Sequence, residues 1–547
     1  MSAAIARIAV IVLLAASSPV ELLSARTDDG LLIDPRLIAE AAEVWPLIAS
    51  DENPIWPDWD ASATPILFYL PGQQDVLINH PAPPEGFVPY SGPVRFAGGE
   101  IFLRNGPTII EWDGQNTSRT IGRIKTLVVA DTLSNLRMRL MALADDPLPA
   151  SQKFPAGDYA SLSENPYDQM AMIAHEAFHV HQDLEAPTKG GNELALKNYP
   201  VLAVANTVGF ALEGFALAEA IRADDLDACR DAAARWLAVR ADRRSKLSAE
   251  AIAYEDGTEF NEGLAKYVEY ALFVALEGRT PGAAMNWVQG FRGYGDLSEF
   301  RESLIDTMTK HMNGEINVNN DPYGTAPLRM RLYFSGMAIG VILDRLSPRW
   351  KGEIFEPKTT LTGLARAAID ATDEELEAKL AETLEDPAYE ALVEIKKRLA
   401  AAGSDAAASQ LRAIEEGANT LLTIDYSALE TDLVNLSFTP FGITGVDEFR
   451  TIYRMAPIAG AVKQDCVFSQ TEPIPLLHDT KERHVRFRLT ERLSRRALAE
   501  ALGLEKIPRE ALTDCTFELP GVRLQAKRFQ IAWSDEAVTI TLRPVKK

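Results

Sequence analysis

Residues 167–181 read Tyr167-Asp168-Gln169-Met170-Ala171-Met172-Ile173-Ala174-His175-Glu176-Ala177-Phe178-His179-Val180-His181. No glycine or proline interrupts the run, and Pro187 follows it, so the stretch predicts a helix that stops before the proline. The chain holds only seven histidines, yet His175, His179 and His181 crowd into this one segment. Four residues turn an α-helix by about 400°, so His175 and His179 leave the same face one turn apart. Imidazoles placed this way can reach one tetrahedral zinc ion. Glu176 stands beside them, where a carboxylate can take a proton from metal-bound water. Met172, Ile173 and Phe178 are expected to face the core. His181 points about 200° away from His179, which assigns it a hydrogen-bonding or surface role and not the same coordination sphere.

A catalytic zinc needs a third protein ligand and an open position. The best source is Thr258-Glu259-Phe260-Asn261-Glu262-Gly263-Leu264-Ala265-Lys266-Tyr267-Val268-Glu269. On a regular helix Glu255, Glu259, Glu262 and Glu269 share one face. An acidic stripe is usually solvated, but Phe260, Leu264, Tyr267 and Val268 argue against full exposure, and some of these carboxylates can support the histidines from behind. Asn261-Glu262-Gly263-Leu264-Ala265-Lys266-Tyr267-Val268-Glu269 resembles the later helix of the gluzincin metallopeptidases, the thermolysin-like and aminopeptidase-like enzymes. That resemblance implies Glu262 as the third ligand. The interval from His179 to Glu262 is far longer than is usual in those families. It reads as an inserted helical hairpin, roughly Val204 to Arg222 and Leu226 to Ser248, which returns the chain near its start. Glu259, one turn earlier, and Glu213, in the weaker copy Leu212-Glu213-Gly214-Phe215-Ala216, stand as rival ligands.

A later segment, Arg331-Leu332-Tyr333-Phe334-Ser335-Gly336-Met337-Ala338, carries the Tyr-x-x-Gly pattern of the aminopeptidase-like enzymes. The resemblance implies that Tyr333 donates a hydrogen bond to the oxyanion of the tetrahedral intermediate. Arg329 and Arg331 are candidates to hold a substrate carboxylate. The resemblance covers about residues 165 to 350, with its motifs in family order. The Gly-x-Met-Glu-Asn segment by which the aminopeptidases grip a free N-terminus is not found, so exopeptidase action is not implied.

Outward from this centre, apolar residues recur at three- and four-residue spacing, predicting helices from about 156 to 415. Strand patterns flank them. Pro65 to Leu70 and Thr108 to Trp112 come before; Leu421 to Ile424, Val485 to Leu489 and Ala537 to Leu542 come after. One helix, near Ser494 to Leu502, interrupts the later set. The fold class expected is α+β: a mainly helical zinc-peptidase domain (156–415) flanked by a β-rich N-terminal domain (26–155) and a β-rich C-terminal domain (416–547). Residues 1–25 read as a secretory signal, with Arg7 before an apolar run from Ile8 to Ala16 and Leu23-Ser24-Ala25 as a cleavage site. A secreted or periplasmic location follows. No later stretch approaches roughly 18 unbroken apolar residues, so no stable membrane span is expected. The net charge of −23 argues against a nucleic-acid partner, which needs clustered Lys and Arg. Of the three cysteines, Cys466 and Cys515 are the expected disulfide pair, with Cys229 free in a helix; no Cys-x-x-Cys supports a thiolate metal site.

The resemblance implies peptide-bond hydrolysis of a peptide or protein substrate with one Zn2+. His175, His179 and Glu262 would hold the ion, Glu176 would act as base and Tyr333 as oxyanion donor. The same centre suits another amide or ester. An exported binding protein on a peptidase fold is the third reading, against which the intact Glu176 speaks.

Overall fold

The computed structural model describes residues 30–96, 99–106, 108–110, 114–132, 165–316, 325–429 and 434–544. The expected signal at 1–25 lies outside them, as do Glu111 and Trp112 of one expected strand. Helices and sheets are both extensive, and the class is α+β. The helices are α1 (Pro35–Ile48), α2 (Pro166–Glu185), α3 (Val204–Arg222), α4 (Leu226–Arg244), α5 (Ala249–Thr258), α6 (Leu264–Leu276), α7 (Ser298–Met312), α8 (Thr325–Leu346), α9 (Trp350–Glu353), α10 (Leu361–Ile369), α11 (Asp373–Glu385), α12 (Pro387–Glu416) and α13 (Arg495–Ala501). A π turn, Glu259–Gly263, joins α5 to α6. The inserted hairpin is present as α3 and α4, and α13 begins where expected, with Ser494 accepting from Ala497 N as its N-cap.

By the density of its contacts the chain forms two compact units, each drawn from several stretches of sequence. The first takes Met1–Gly190, Glu259–Thr307 and Tyr333–Ile369. Its sheet contains β1 (Ile66–Leu70), β2 (Gln74–Ile78), β3 (Val88–Pro89), β4 (Ile101–Asn105), β5 (Thr117–Ile121) and β6 (Ile124–Ala130), in the order β3-β4-β2-β1-β6-β5. Among the described residues only β1 and β6 run parallel in it. Strand β1 is buried along its whole length, which is why Ile66-Leu67-Phe68-Tyr69-Leu70 is apolar without alternation. The expected strand at Thr108 does not form over 108–110. Ile109 N donates to Asp75 Oδ2 at 3.0 Å and Thr108 Oγ1 to the Ile110 carbonyl at 2.6 Å, so side chains, one of them distant in sequence, take the groups a ladder would use.

Helix α2 packs on β5, β6 and α6. Asn165 caps it by accepting from Tyr167 N, and Pro166 occupies its first turn, where no partner for an N–H is lost. Beneath it lies an aromatic cluster in which Trp56 meets Phe178 at 4.8 Å and Trp350 at 5.1 Å. Tyr267 packs on Trp350 at 5.5 Å and donates to Asp344 Oδ2 at 2.5 Å. Met172 is half-buried, while Ile173 and Phe178 are in the core.

The second unit takes Gly191–Thr258, Met308–Leu332 and Asp370–Lys547. Its sheet holds β7 (Leu421–Asp425), β8 (Val434–Leu436), β9 (Ile443–Gly445), β10 (Arg450–Tyr453), β11 (Ala459–Val462), β12 (Cys466–Gln470), β13 (Leu476–Asp479), β14 (His484–Arg488), β15 (Leu512–Leu519), β16 (Val522–Trp533) and β17 (Ala537–Leu542). Their order is β8-β11-β12-β16-β17-β7-β14-β13-β10-β9, with β15 beside β16. Strands β7, β14 and β17 match the expected segments. Helix α3 is long and apolar enough to cross a membrane by composition alone, yet 72% of its most apolar window is buried inside the protein. It reads as a core helix.

The expected Cys466–Cys515 disulfide is absent; none of the three cysteines is in a disulfide. Strand register explains this. Cys466 on β12 and Cys515 on β15 both stand opposite Ala526, on either side of β16. Two strand spacings put their Cα atoms roughly 10 Å apart, beyond the ~7 Å limit for a bridge.

Candidate metal centre

His175, Glu176, His179, Glu262 and Tyr333 all belong to the first unit. His175 and His179 leave one face of α2 and Glu262 comes from the π turn, and one donor atom from each lies within 4.8 Å of the other two. The Nε2 atoms of His175 and His179 stand 3.7 and 3.5 Å from Glu262 Oε2. Donors bonded at ~2.1 Å to one tetrahedral ion lie roughly 3.4 Å apart, so the spacing fits a single cation. Two imidazoles and a carboxylate are also the borderline donor set that zinc favours.

Each imidazole is held from behind. His175 Nδ1 faces Glu269 Oε1 at 2.7 Å, and Glu269 Oε2 accepts from Lys266 Nζ at 2.7 Å. His179 Nδ1 faces Gln182 Oε1 at 2.8 Å, and Gln182 Nε2 donates to the Phe260 carbonyl at 2.6 Å. Acceptors at both Nδ1 atoms leave the Nε2 lone pairs directed at Glu262.

Burial opposes a charge on His175 and His179, but it is outweighed, chiefly by hydrogen bonding to Glu262, and both pKa values rise. Protons are drawn to the position where a divalent cation would sit. Burial would push Glu269 up, but Lys266 and His175 hold it down at about 2. Burial raises the carboxyl of half-buried Glu176 against the pull of His179 and His175, the direction that suits a general base near neutral pH.

The rival ligands stand elsewhere. Glu213 is fully buried in the second unit, accepting from Arg240 Nε at 2.9 Å and Arg243 Nε at 2.5 Å. Glu259 is fully buried and accepts from Ser335 Oγ. Glu255 accepts from Arg243 and Arg244. The common face expected for Glu255, Glu259, Glu262 and Glu269 assumes an unbroken α-helix, and the π turn at Glu259–Gly263 departs from that period.

Helix α8 brings Tyr333 alongside, its ring 6.2 Å from that of His175 and inclined by 23°. Gly336, one turn later, explains the approach. A Cβ there would lie 2.6 Å from Gly263 Cα and 2.8 Å from the Glu259 carbonyl oxygen. At Gly340 a Cβ would meet the Tyr267 ring at 2.7 Å. Bare backbone at these two positions lets α8 press on the π turn and α6.

No protein-family model, curated protein or solved structure matches this chain.

Three further expectations are corrected. His181 is neither a surface nor a hydrogen-bonding residue among the described contacts: it is buried between Phe355 at 5.1 Å, Phe178 at 5.6 Å and Trp59 at 6.0 Å. Burial there lowers its pKa to about 4. Arg329 pairs with Glu193 and lies over the Phe441 ring at 5.1 Å. Arg331 donates to the His311 carbonyl at 3.2 Å beside Phe210. Both arginines are buried in the second unit, where structural contacts already occupy them. Gln182 was not singled out in the sequence. Its signal was its position three residues after His179, on the same helix flank.

Proposed function

We propose that this chain is a zinc-dependent peptidase of gluzincin type, hydrolysing peptide bonds in a peptide or protein substrate. The observation that carries the proposal is the convergence of His175 Nε2, His179 Nε2 and Glu262 Oε2 at spacings that suit one cation. In this reading a helical peptidase domain lies between β-rich flanks, and residues 1–25 direct the chain to the periplasm or outside the cell.

A zinc ion bound there would supply Lewis acidity and lower the pKa of water. The chain's own residues do the rest. Glu176, next to a ligand and half-buried, takes the proton of the attacking water and returns it to the leaving amine. Tyr333 donates its phenolic proton in a hydrogen bond to the developing oxyanion. Glu269 and Gln182 keep the two imidazoles turned inward.

The test is Glu176→Gln in the full chain, with metal content and cleavage of a quenched fluorescent peptide library both measured. Zinc should stay stoichiometric while turnover falls by on the order of 10²–10⁴. Full activity in that variant, or wild-type protein that takes up no zinc, would end the proposal.

A further inference from the structure

We infer that Gln182 is a positioning residue that fixes which nitrogen His179 presents to the cation site and ties that choice to the turn carrying Glu262. The inference rests on the metal-site reading above and deepens it.

The Phe260 oxygen can only accept, so the amide nitrogen of Gln182 must face it, as it does at 2.6 Å. The other end of a planar amide is then its oxygen, which can also only accept. That oxygen lies 2.8 Å from His179 Nδ1, so Nδ1 must carry the hydrogen. In a neutral imidazole the lone pair is then left on Nε2, the atom 3.5 Å from Glu262 Oε2. A carbonyl of the π turn thus sets the tautomer of a ligand on α2 through one side chain. Phe260 is only two residues before Glu262, so the same contact anchors the turn that delivers the carboxylate. Gln182 is 2% exposed, so water cannot readily replace either bond, and losing one strands a buried polar group.

The two ligand histidines are supported differently. His175 leans on a carboxylate, Glu269, whose second oxygen is met by Lys266. His179 leans on a neutral amide whose second atom is a donor. A glutamate at 182 could still accept from His179, but it would turn an unprotonated oxygen towards the Phe260 carbonyl. This separates the relay from ordinary support of one histidine, for which a carboxylate would be the stronger partner.

Zn2+ affinity should be measured on the full-length protein by competition with a chromophoric chelator, for wild type, Gln182→Met and Gln182→Glu. Co2+ substitution should be run in parallel, since its visible spectrum reports coordination geometry. The relay predicts about 10–100-fold weaker zinc binding in Gln182→Met and a shifted Co2+ spectrum. It also predicts that Gln182→Glu binds more weakly than wild type. Melting curves of the metal-free proteins check folding. If Gln182→Met does not fold, Gln182→Glu, of almost unchanged volume, carries the test. Gln182→Glu binding as tightly as wild type would overturn the relay, as would an unchanged Gln182→Met, and either would leave the metal site standing. Wild type that binds no Zn2+ would overturn both, and that result is seen without any variant.

Discussion

Gly336→Ala sets two opposite expectations against each other. On an open helix face this change stabilises a protein by roughly 0.5–1 kcal/mol, because glycine gives up more backbone freedom on folding. At Gly336 the new Cβ would stand 2.6 Å from Gly263 Cα, 2.8 Å from the Glu259 oxygen and 3.1 Å from Gly263 C. All three atoms are backbone, so no rotamer change relieves the clash. Contacts below 3.0 Å are essentially never seen, and ordinary ones begin at 3.4 Å, so α8 must retreat by about 0.4–0.8 Å to reach that band. Overpacking of this kind costs about 1–3 kcal/mol, which leaves a net loss of up to roughly 2.5 kcal/mol, centred near 1, after the propensity gain. Tyr333 lies one turn away on the same face, so the retreat also draws its ring from His175. A displacement approaching 1 Å costs up to about 10²-fold in rate. The assays are the denaturant midpoint of the metal-free protein and peptide turnover of the zinc form. Gly352→Ala, where nothing lies within 4 Å of the added Cβ, is the control and should be harmless. If Gly336→Ala were as stable and as active as wild type, the account of how α8 reaches the site would be refuted.

Tyr333→Phe removes the phenolic donor and keeps the ring; kcat should fall by on the order of 10²–10³ with KM little changed, and steady-state kinetics would show an unaltered kcat if the oxyanion role is wrong. Burial would raise the Glu255 carboxyl, but Arg243 and Arg244 hold it at about 2 against an ordinary 4.5. Its folded pKa is below its unfolded one, so its stabilisation is complete above about pH 4.5 and is lost as pH falls towards 2. Glu255→Gln should therefore cost about 3–5 kcal/mol at neutral pH and flatten that acid limb in denaturation curves; an unchanged limb would count against the network. Thiol titration of unreduced, denatured protein should find three free thiols per chain, whereas one would reinstate the disulfide and contradict the β12–β16–β15 register.

Much of the architecture was legible because it follows from simple periodicities. The bounds of α3 were legible as the first arm of the inserted hairpin, Val204 to Arg222, and β7, β14 and β17 as short runs of strand-forming residues. The pairing of the histidines needed only the pitch of a helix. Other features depend on partners far away in sequence. The π turn has no local signature, so the register that separates Glu262 from Glu259 could not be read from residue spacing. Glu213 looked like a ligand because its neighbours copy a motif, whereas Arg240 and Arg243 decide its role from the next helix. Cys466 and Cys515 looked close in sequence, and only the placement of β16 between them shows that they cannot meet. Thr108 and Ile109 carry strand propensity, but a buried carboxylate, Asp75, claims the Ile109 N–H.

The position of β17 matters for how the second unit assembles. It fills the slot between β16 and β7, antiparallel to one and parallel to the other. During synthesis β7 emerges long before β17, so one margin of it stays unsaturated while the intervening strands are made. Until that slot is filled, the nascent sheet is two halves, each with a raw border able to capture a stray strand. Chaperone dependence and aggregation of this protein should therefore centre on the wait for β17.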